Sequence, residues 1–436
     1  MPRDATATDR RPSIRRRRPA ALVVVLLLVA LAAGCGGGSD DPQSGPSPTL
    51  GPARARVLEQ QLLDRRARAI RTHDLALFMR GVDRSDAAFA DRQRRYYRNL
   101  VQLPLERFSY RVLPTQWPED LLPTKAGGGA RAPEVELTLQ LRGYDDRPVL
   151  RTVGFVFSYR NDRPVLVSDR GATGEPLIRG GAAPWDLTAI TVTEAGGVLA
   201  ITDRKTRSSA GEVAAVVRRG IDQLQAALPY EWDAHVVVYH VEDKRVLSAF
   251  TDVPGGVIGQ LGAMTFPEYS SAARNRVAST RMLLMLSSVA AGEPFLGRIV
   301  RHELSHVALG ARDDGVPTWL SEGLAEYLGA REITPNKRII ATSALSRASS
   351  DPAVLPASSS FNGADQEWHY ALSWMAVDYI VTSRGESRLW DLIKAMHADG
   401  RGTSDADQDA VLLQVLGLDG DELARRAQDR IRSIYG

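Results

Sequence analysis

The stretch Arg298–Gly310, RIVRHELSHVALG, decides how the second half of this chain is read. Ile299, Val300, Leu304 and Val307 recur at helical spacing and mark a buried helix. Within it, His302 and His306 stand four apart with Glu303 between them. On a helix, residues i and i+4 share one face, about a turn apart. Two imidazoles so placed can bind one Zn²⁺ through ring nitrogens at about 2.0–2.1 Å. Glu303 would then sit beside the open metal position, where it can take a proton from a bound water. Alone, the pentapeptide also fits an ordinary surface helix, so its surroundings must decide.

The decisive neighbour is Val316–Arg331, VPTWLSEGLAEYLGAR, which opens a second helix after a Gly- and Pro-marked loop. Glu322 and Glu326 again lie at i and i+4, on one face. H-E-x-x-H followed by W-L-x-E-G-x-A-E-Y resembles the gluzincin metallopeptidases, the clan of thermolysin and of many zinc aminopeptidases. The resemblance implies a third zinc ligand at Glu322. It also implies a role for Glu326 in hydrogen-bonding a ligand histidine. Fifteen residues separate His306 from Glu322, fewer than in thermolysin, so the connecting loop must be short. The likeness is specific over residues 298–330 and extends as a layout over about 186–436.

The same resemblance bears on substrate. Gluzincins bind peptide along a sheet edge that precedes the zinc helix, and Gly259–Phe266, GQLGAMTF, fits that strand. It is similar to the G-x-M-E-N segment of zinc aminopeptidases, but Thr265 stands where their glutamate grips a free amino terminus. That departure argues for an endopeptidase rather than an aminopeptidase. Clan members often stabilise the oxyanion with a tyrosine or histidine downstream of the third ligand. Gln366–Ile380, QEWHYALSWMAVDYI, offers His369 and Tyr370, and Tyr370 is the choice. His73, His235, His240 and His397 have no acidic partner at ligand spacing and read as structural.

Upstream, Ala53–Val82 carries helical periodicity, and a second helix is expected over Arg84–Leu103. Strands follow. Val135, Leu137, Leu139 and Leu141 alternate with polar residues, and Val153–Tyr159 reads as another strand. Phe108–Val112 and Val165–Val167 are shorter strands, with a turn at Asn161-Asp162. Two helices followed by a curled antiparallel sheet predict an α+β domain over residues 53–175, in an order that resembles the NTF2-like fold. Residues 176–186 are expected to be a linker. Residues 187–436 then form the peptidase-like domain: a Gly196-Gly197 hairpin, a helix capped at Ser209, a buried strand in HVVVYHV, two further strands, and helices from Phe295 onward. The fold class is α+β.

Residues 1–35 have a different composition. A basic head precedes a charge-free run from Ala21 to Gly34, too short to span a bilayer comfortably. Leu31–Cys35, LAAGC, resembles a bacterial lipobox, with Ala32 where leucine is most usual. The resemblance implies acylation of Cys35 and lipid anchoring at the extracytoplasmic face of the cell membrane. Cys35 is the only cysteine, so no disulfide can form within the chain. Residues 36–52 read as a flexible tether. Residues 1–18 hold seven arginines and two aspartates, so the net charge of +3 becomes −2 once the signal is removed. No basic patch argues for nucleic acid.

The expected activity is therefore zinc-dependent hydrolysis of peptide or protein substrates. The alternatives are an idle, peptidase-like binding or scaffold lipoprotein, and an enzyme whose N-terminal domain covers its cleft.

Overall fold

The computed structural model describes residues 50–123, 129–250, 258, 261–271, 273–350, 352–398, 402 and 404–436. The expected signal, Cys35 and the tether up to Thr49 lie outside the described residues.

The described chain is mixed α+β, and none of its sheets closes into a barrel. It begins with α1 (Pro52–Arg71), α2 (Leu75–Phe78) and α3 (Ala87–Leu100). The helix expected over Ala53–Val82 is two. His73 adopts φ +54°, which ends α1, and the Asp74 carboxylate restarts the helix by accepting from the Leu77 amide at 2.8 Å. Strands β1 (Leu105–Gln116), β2 (Pro133–Leu141), β3 (Val149–Gly154), β4 (Val156–Arg160), β5 (Arg163–Ser168) and β6 (Ile178–Arg179) follow. The antiparallel order is β1-β2-β3-β6, with β4-β5 a separate ribbon. Asn161 and Asp162, both at positive φ, form its turn. Val153–Tyr159 is thus two strands rather than one. The break falls at Phe155, just after Gly154, where a Cβ would stand 2.5 Å from Trp117 Nε1.

Next come α4 (Pro184–Leu187), β7 (Ile190–Ala195), β8 (Val198–Asp203), α5 (Ala210–Ala227), β9 (Val236–His240), α6 (Lys244–Leu247), β10 (Ala263–Tyr269) and β11 (Val277–Leu284). Their strands form one mixed sheet, ordered β10-β11-β9-β8-β7. β9 runs parallel to both β8 and β11, while the outer pairs are antiparallel. Ser209 does not cap α5 with its side chain. Its hydroxyl donates instead to the Thr206 carbonyl and meets His240 Nε2 at 2.9 Å. The chain closes with α7 (Leu286–Ala291), α8 (Phe295–Leu309), α9 (Thr318–Ala330), α10 (Thr342–Ser350), α11 (Gln366–Arg384), α12 (Glu386–His397), α13 (Asp405–Leu416) and α14 (Gly420–Tyr435).

Every residue of β8 and β9 is buried, so the sheet is covered on both faces. Alternation along the strands divides two cores. Val198, Ala200, Val236 and Val238 face the helices, α8 among them. Leu199, Ile201, Val237 and Tyr239 face the N-terminal elements. The expected linker over residues 176–186 is part of this packing. Trp185 is buried in the second core, Leu177 in a small cluster with Trp117 and Val156, and Ile178-Arg179 pairs with β3. Burial of such side chains stabilises by about 1.5–3 kcal/mol each, so the back of the sheet recruits the connecting chain instead of leaving it in solvent. Among the described residues, no helix is long and apolar enough to cross a membrane.

Candidate metal centre

Helix α8 turns Leu296, Val300, Leu304 and Ala308 into the core, all at most 3% exposed. This i, i+4 stripe fixes the rotation of the helix, and His302, Glu303 and His306 therefore emerge on another face. Helix α9 brings Glu322 opposite them. Its neighbour Gly323 permits the packing: a Cβ there would sit 2.5 Å from the Ser373 carbonyl oxygen of α11. The glycine of E-G-x-A is thus explained by close approach of two helices.

The donor atoms converge. Glu322 Oε2 lies 3.2 Å from His302 Nε2 and 3.6 Å from His306 Nε2. Those separations match the edge of a tetrahedron with bonds of about 2 Å, which is about 3.3 Å. One ligand atom from each of the three residues falls within 4.8 Å of the others. Glu322 Oε2 is buried and accepts no hydrogen bond. A buried carboxylate oxygen that faces two imidazole nitrogens without a well-formed hydrogen bond to either is an arrangement that can hold a cation.

The far sides of the rings are also fixed. Glu326 Oε1 stands 3.3 Å from His302 Nδ1, and Asp313 Oδ2 stands 3.6 Å from His306 Nδ1. Each carboxylate favours a proton on Nδ1 and leaves the Nε2 lone pair for a ligand bond. Glu326 is itself held by Arg298 at 2.5 Å, and that guanidinium lies 4.8 Å over Trp374. Asp313, on the turn after α8, accepts from Ser321 Oγ at 2.7 Å. Sequence reasoning identified Glu326 but missed Asp313, because a carboxylate in an irregular turn carries no periodic signal.

Electrostatics follow from this crowding. Burial pushes both imidazoles down, but the carboxylates outweigh it: His302 is driven up to about 10 by Glu322 and Glu326. His306 rises well above its ordinary value, with Glu322 the largest charge and Asp313 adding a hydrogen bond. Burial raises Glu322 and Glu326, and the imidazoles more than offset it. Glu322 is held far below the carboxylate range, and Glu326, with Arg298 assisting, at about 2. Glu303 differs. Burial raises it, opposed by the two imidazoles and by a hydrogen bond with Thr265 of β10. A carboxylate pushed up towards neutrality suits proton transfer.

Tyr370 and His369 diverge. The Tyr370 ring centroid is 6.3 Å from that of His302, and its hydroxyl donates to Asn362 Oδ1 at 3.4 Å. Burial first, then Glu322, Glu326 and Glu303, raises its pKa, so the phenol stays protonated and able to donate. His369 Nδ1 instead meets the Phe361 carbonyl at 2.7 Å. His302, Glu303, Glu326 and Tyr370 line a cleft of about 520 Å³, with Phe295 and Ile339 at its apolar side. Of the remaining histidines, His240 is buried against the Leu284 carbonyl, His235 contacts Asp233, and His397 contacts the Asp314 carbonyl. No family model and no curated protein matches this chain.

Proposed function

We propose that this chain is a zinc-dependent peptidase of gluzincin type, anchored by lipid at Cys35 to the outer face of the cell membrane, with an NTF2-like N-terminal portion. The observation that carries the reading is the buried Glu322 Oε2 between two imidazole Nε2 atoms. His302, His306 and Glu322 would hold Zn²⁺. When bound, Zn²⁺ supplies a Lewis acid for the scissile carbonyl and lowers the pKa of water.

The chain's own residues do the rest. Glu303, raised by burial, takes the proton from the attacking water and returns it to the leaving amine. Tyr370 donates to the oxygen that gains charge. Glu326 and Asp313 hold the two imidazoles in one tautomer and orientation. Thr265, hydrogen-bonded to Glu303, offers no carboxylate for a free amino terminus, which favours internal peptide bonds.

The test is metal content by mass, beside a broad peptide-cleavage screen. Protein purified without chelator and offered zinc should hold one equivalent. Well below one equivalent, or no loss on Glu322→Gln, refutes the site.

A further inference from the structure

The edge of β10 borders a second cavity, of about 460 Å³, which none of the proposed zinc ligands lines. β10 ends the five-stranded sheet, and among the described residues no strand pairs with its outer edge. Its side chains alternate. Ala263 joins the core on the α8 side and Thr265 reaches Glu303, while Met264 and Phe266 join the core shared with the N-terminal elements. The second cavity lies on that other side. Its far wall comes from the N-terminal portion: Arg151 of β3 and the chain Gly180–Ala183 between β6 and α4.

The chemistry of the cavity is mainly aromatic. Tyr239 lies 5.7 Å from Phe266, and Phe266 lies 4.9 Å from Phe250. Tyr239 is 1% exposed and its hydroxyl is closed off, so it is the ring that faces the cavity. The lining carboxylate is paired. Arg151 is shared by Glu268 at 2.7 Å and Asp186 at 3.3 Å, and Arg274 lies over the Tyr269 ring at 4.8 Å. Glu268 and Asp186 neutralise Arg151, while Arg274 has no carboxylate partner among the described residues and stacks on Tyr269. An aromatic ring would find edges and faces to pack on, with the Arg274 guanidinium at the wall beside it.

We propose that this cavity binds an aromatic side chain of the substrate from a peptide laid along β10 as an added strand. The inference rests on the peptidase reading for the peptide's presence, but not for the cavity's preference. A strand added to β10 directs alternate side chains to the two faces. The aromatic residue is therefore an odd number of positions from the one that faces Glu303. In this arrangement the N-terminal portion is one wall of a specificity pocket.

The test uses the zinc-loaded protein and a diverse peptide mixture, with cleavage sites read by mass spectrometry. Tyrosine and phenylalanine should be enriched roughly tenfold or more at one fixed position. Ala182→Trp, which fills the cavity, should remove that enrichment. Phe250→Ala removes one ring of the wall and carries the test should Ala182→Trp not fold. It should lower the enrichment by about threefold or more, the size of one aromatic pair. In a second arm, the Glu303→Gln protein is titrated with fluorescein-labelled Gly/Ser/Ala peptides holding one central tyrosine or alanine. The tyrosine peptide should bind roughly tenfold tighter by anisotropy. Cleavage with no fixed aromatic position, enrichment of a charged residue there, or equal binding of the two peptides overturns the assignment. No cleavage with the binding preference intact overturns the peptidase reading and leaves the cavity assignment standing.

Discussion

Glu326→Gln separates a residue that orients a ligand from one that is a ligand. Glu326 Oε1 is 3.3 Å from His302 Nδ1, away from the Nε2 that faces Glu322. The amide keeps the shape and removes the charge. Loss of such a partner typically costs 10–100-fold in metal affinity, about 1.4–2.7 kcal/mol. The zinc-free protein should respond as well. The Glu326 carboxyl is held at about 2, against an ordinary 4.5. A depressed carboxyl stabilises the fold above its ordinary value, and that stability is lost as pH falls through about 2. The shift corresponds to about 3 kcal/mol as an upper bound, so zinc-free Glu326→Gln should unfold at lower denaturant at pH 7. The assay is a zinc competition titration against a chromogenic chelator, run beside urea unfolding of the zinc-free forms. Affinity unchanged within about twofold, against the tenfold or greater loss expected, would show that Glu326 does not orient a ligand. Complete loss of zinc would make it a ligand and displace Glu322 from that role.

Glu303→Gln should retain one zinc and lose about 10²–10⁴-fold in cleavage rate, read by metal analysis and peptide turnover on the same sample; retained activity would assign the base elsewhere. Tyr370→Phe should lower kcat by about 10²-fold or more with KM little changed, while His369→Ala should not, since only Tyr370 lines the cleft. Cys35→Ser should abolish incorporation of a labelled fatty acid and change the mass of the mature N-terminus; a wild type that begins elsewhere, or at Cys35 without acyl mass, contradicts the anchor.

The parts of the site that were legible in the sequence are those that repeat with the helix. His302 and His306, and then Glu322 and Glu326, are i, i+4 pairs, and local periodicity alone puts each pair on one face. What closes the site is not periodic. Asp313 reaches His306 from a turn, and its role depends on how α8 ends, with Gly310 at positive φ. The same limit governed the fold. The run Val153–Tyr159 alternates like one strand, and the break at Phe155 follows a glycine that the distant Trp117 and Leu177 crowd. Residues 176–186 look like a linker by their glycines and prolines, but Trp185 buries itself against Tyr239 of a strand more than fifty residues on. Tyr370 and His369 are adjacent in sequence. Their separation into a cleft residue and a Phe361 anchor is set by the rotation of α11, which composition does not encode.

An N-terminal portion that restrains the enzyme by covering its cleft is disfavoured by the division of the sheet. Residues of the N-terminal elements pack with Leu199, Ile201, Val237 and Tyr239, whereas α8 packs with Val198, Ala200, Val236 and Val238 on the other face. Among the described residues, none that lines the 520 Å³ cleft precedes Leu261. Removing the N-terminal elements should therefore not unveil the candidate metal centre; it should strip the back of the sheet. Those four side chains alone represent roughly 6–12 kcal/mol of burial. That is comparable to the whole net stability of an ordinary domain, about 5–15 kcal/mol. A chain reduced to residues 187–436 should accordingly aggregate or bind a hydrophobic dye rather than gain activity. A soluble, monomeric 187–436 fragment that cleaves faster than the full protein would restore the covering role and remove the N-terminal portion from the structural core.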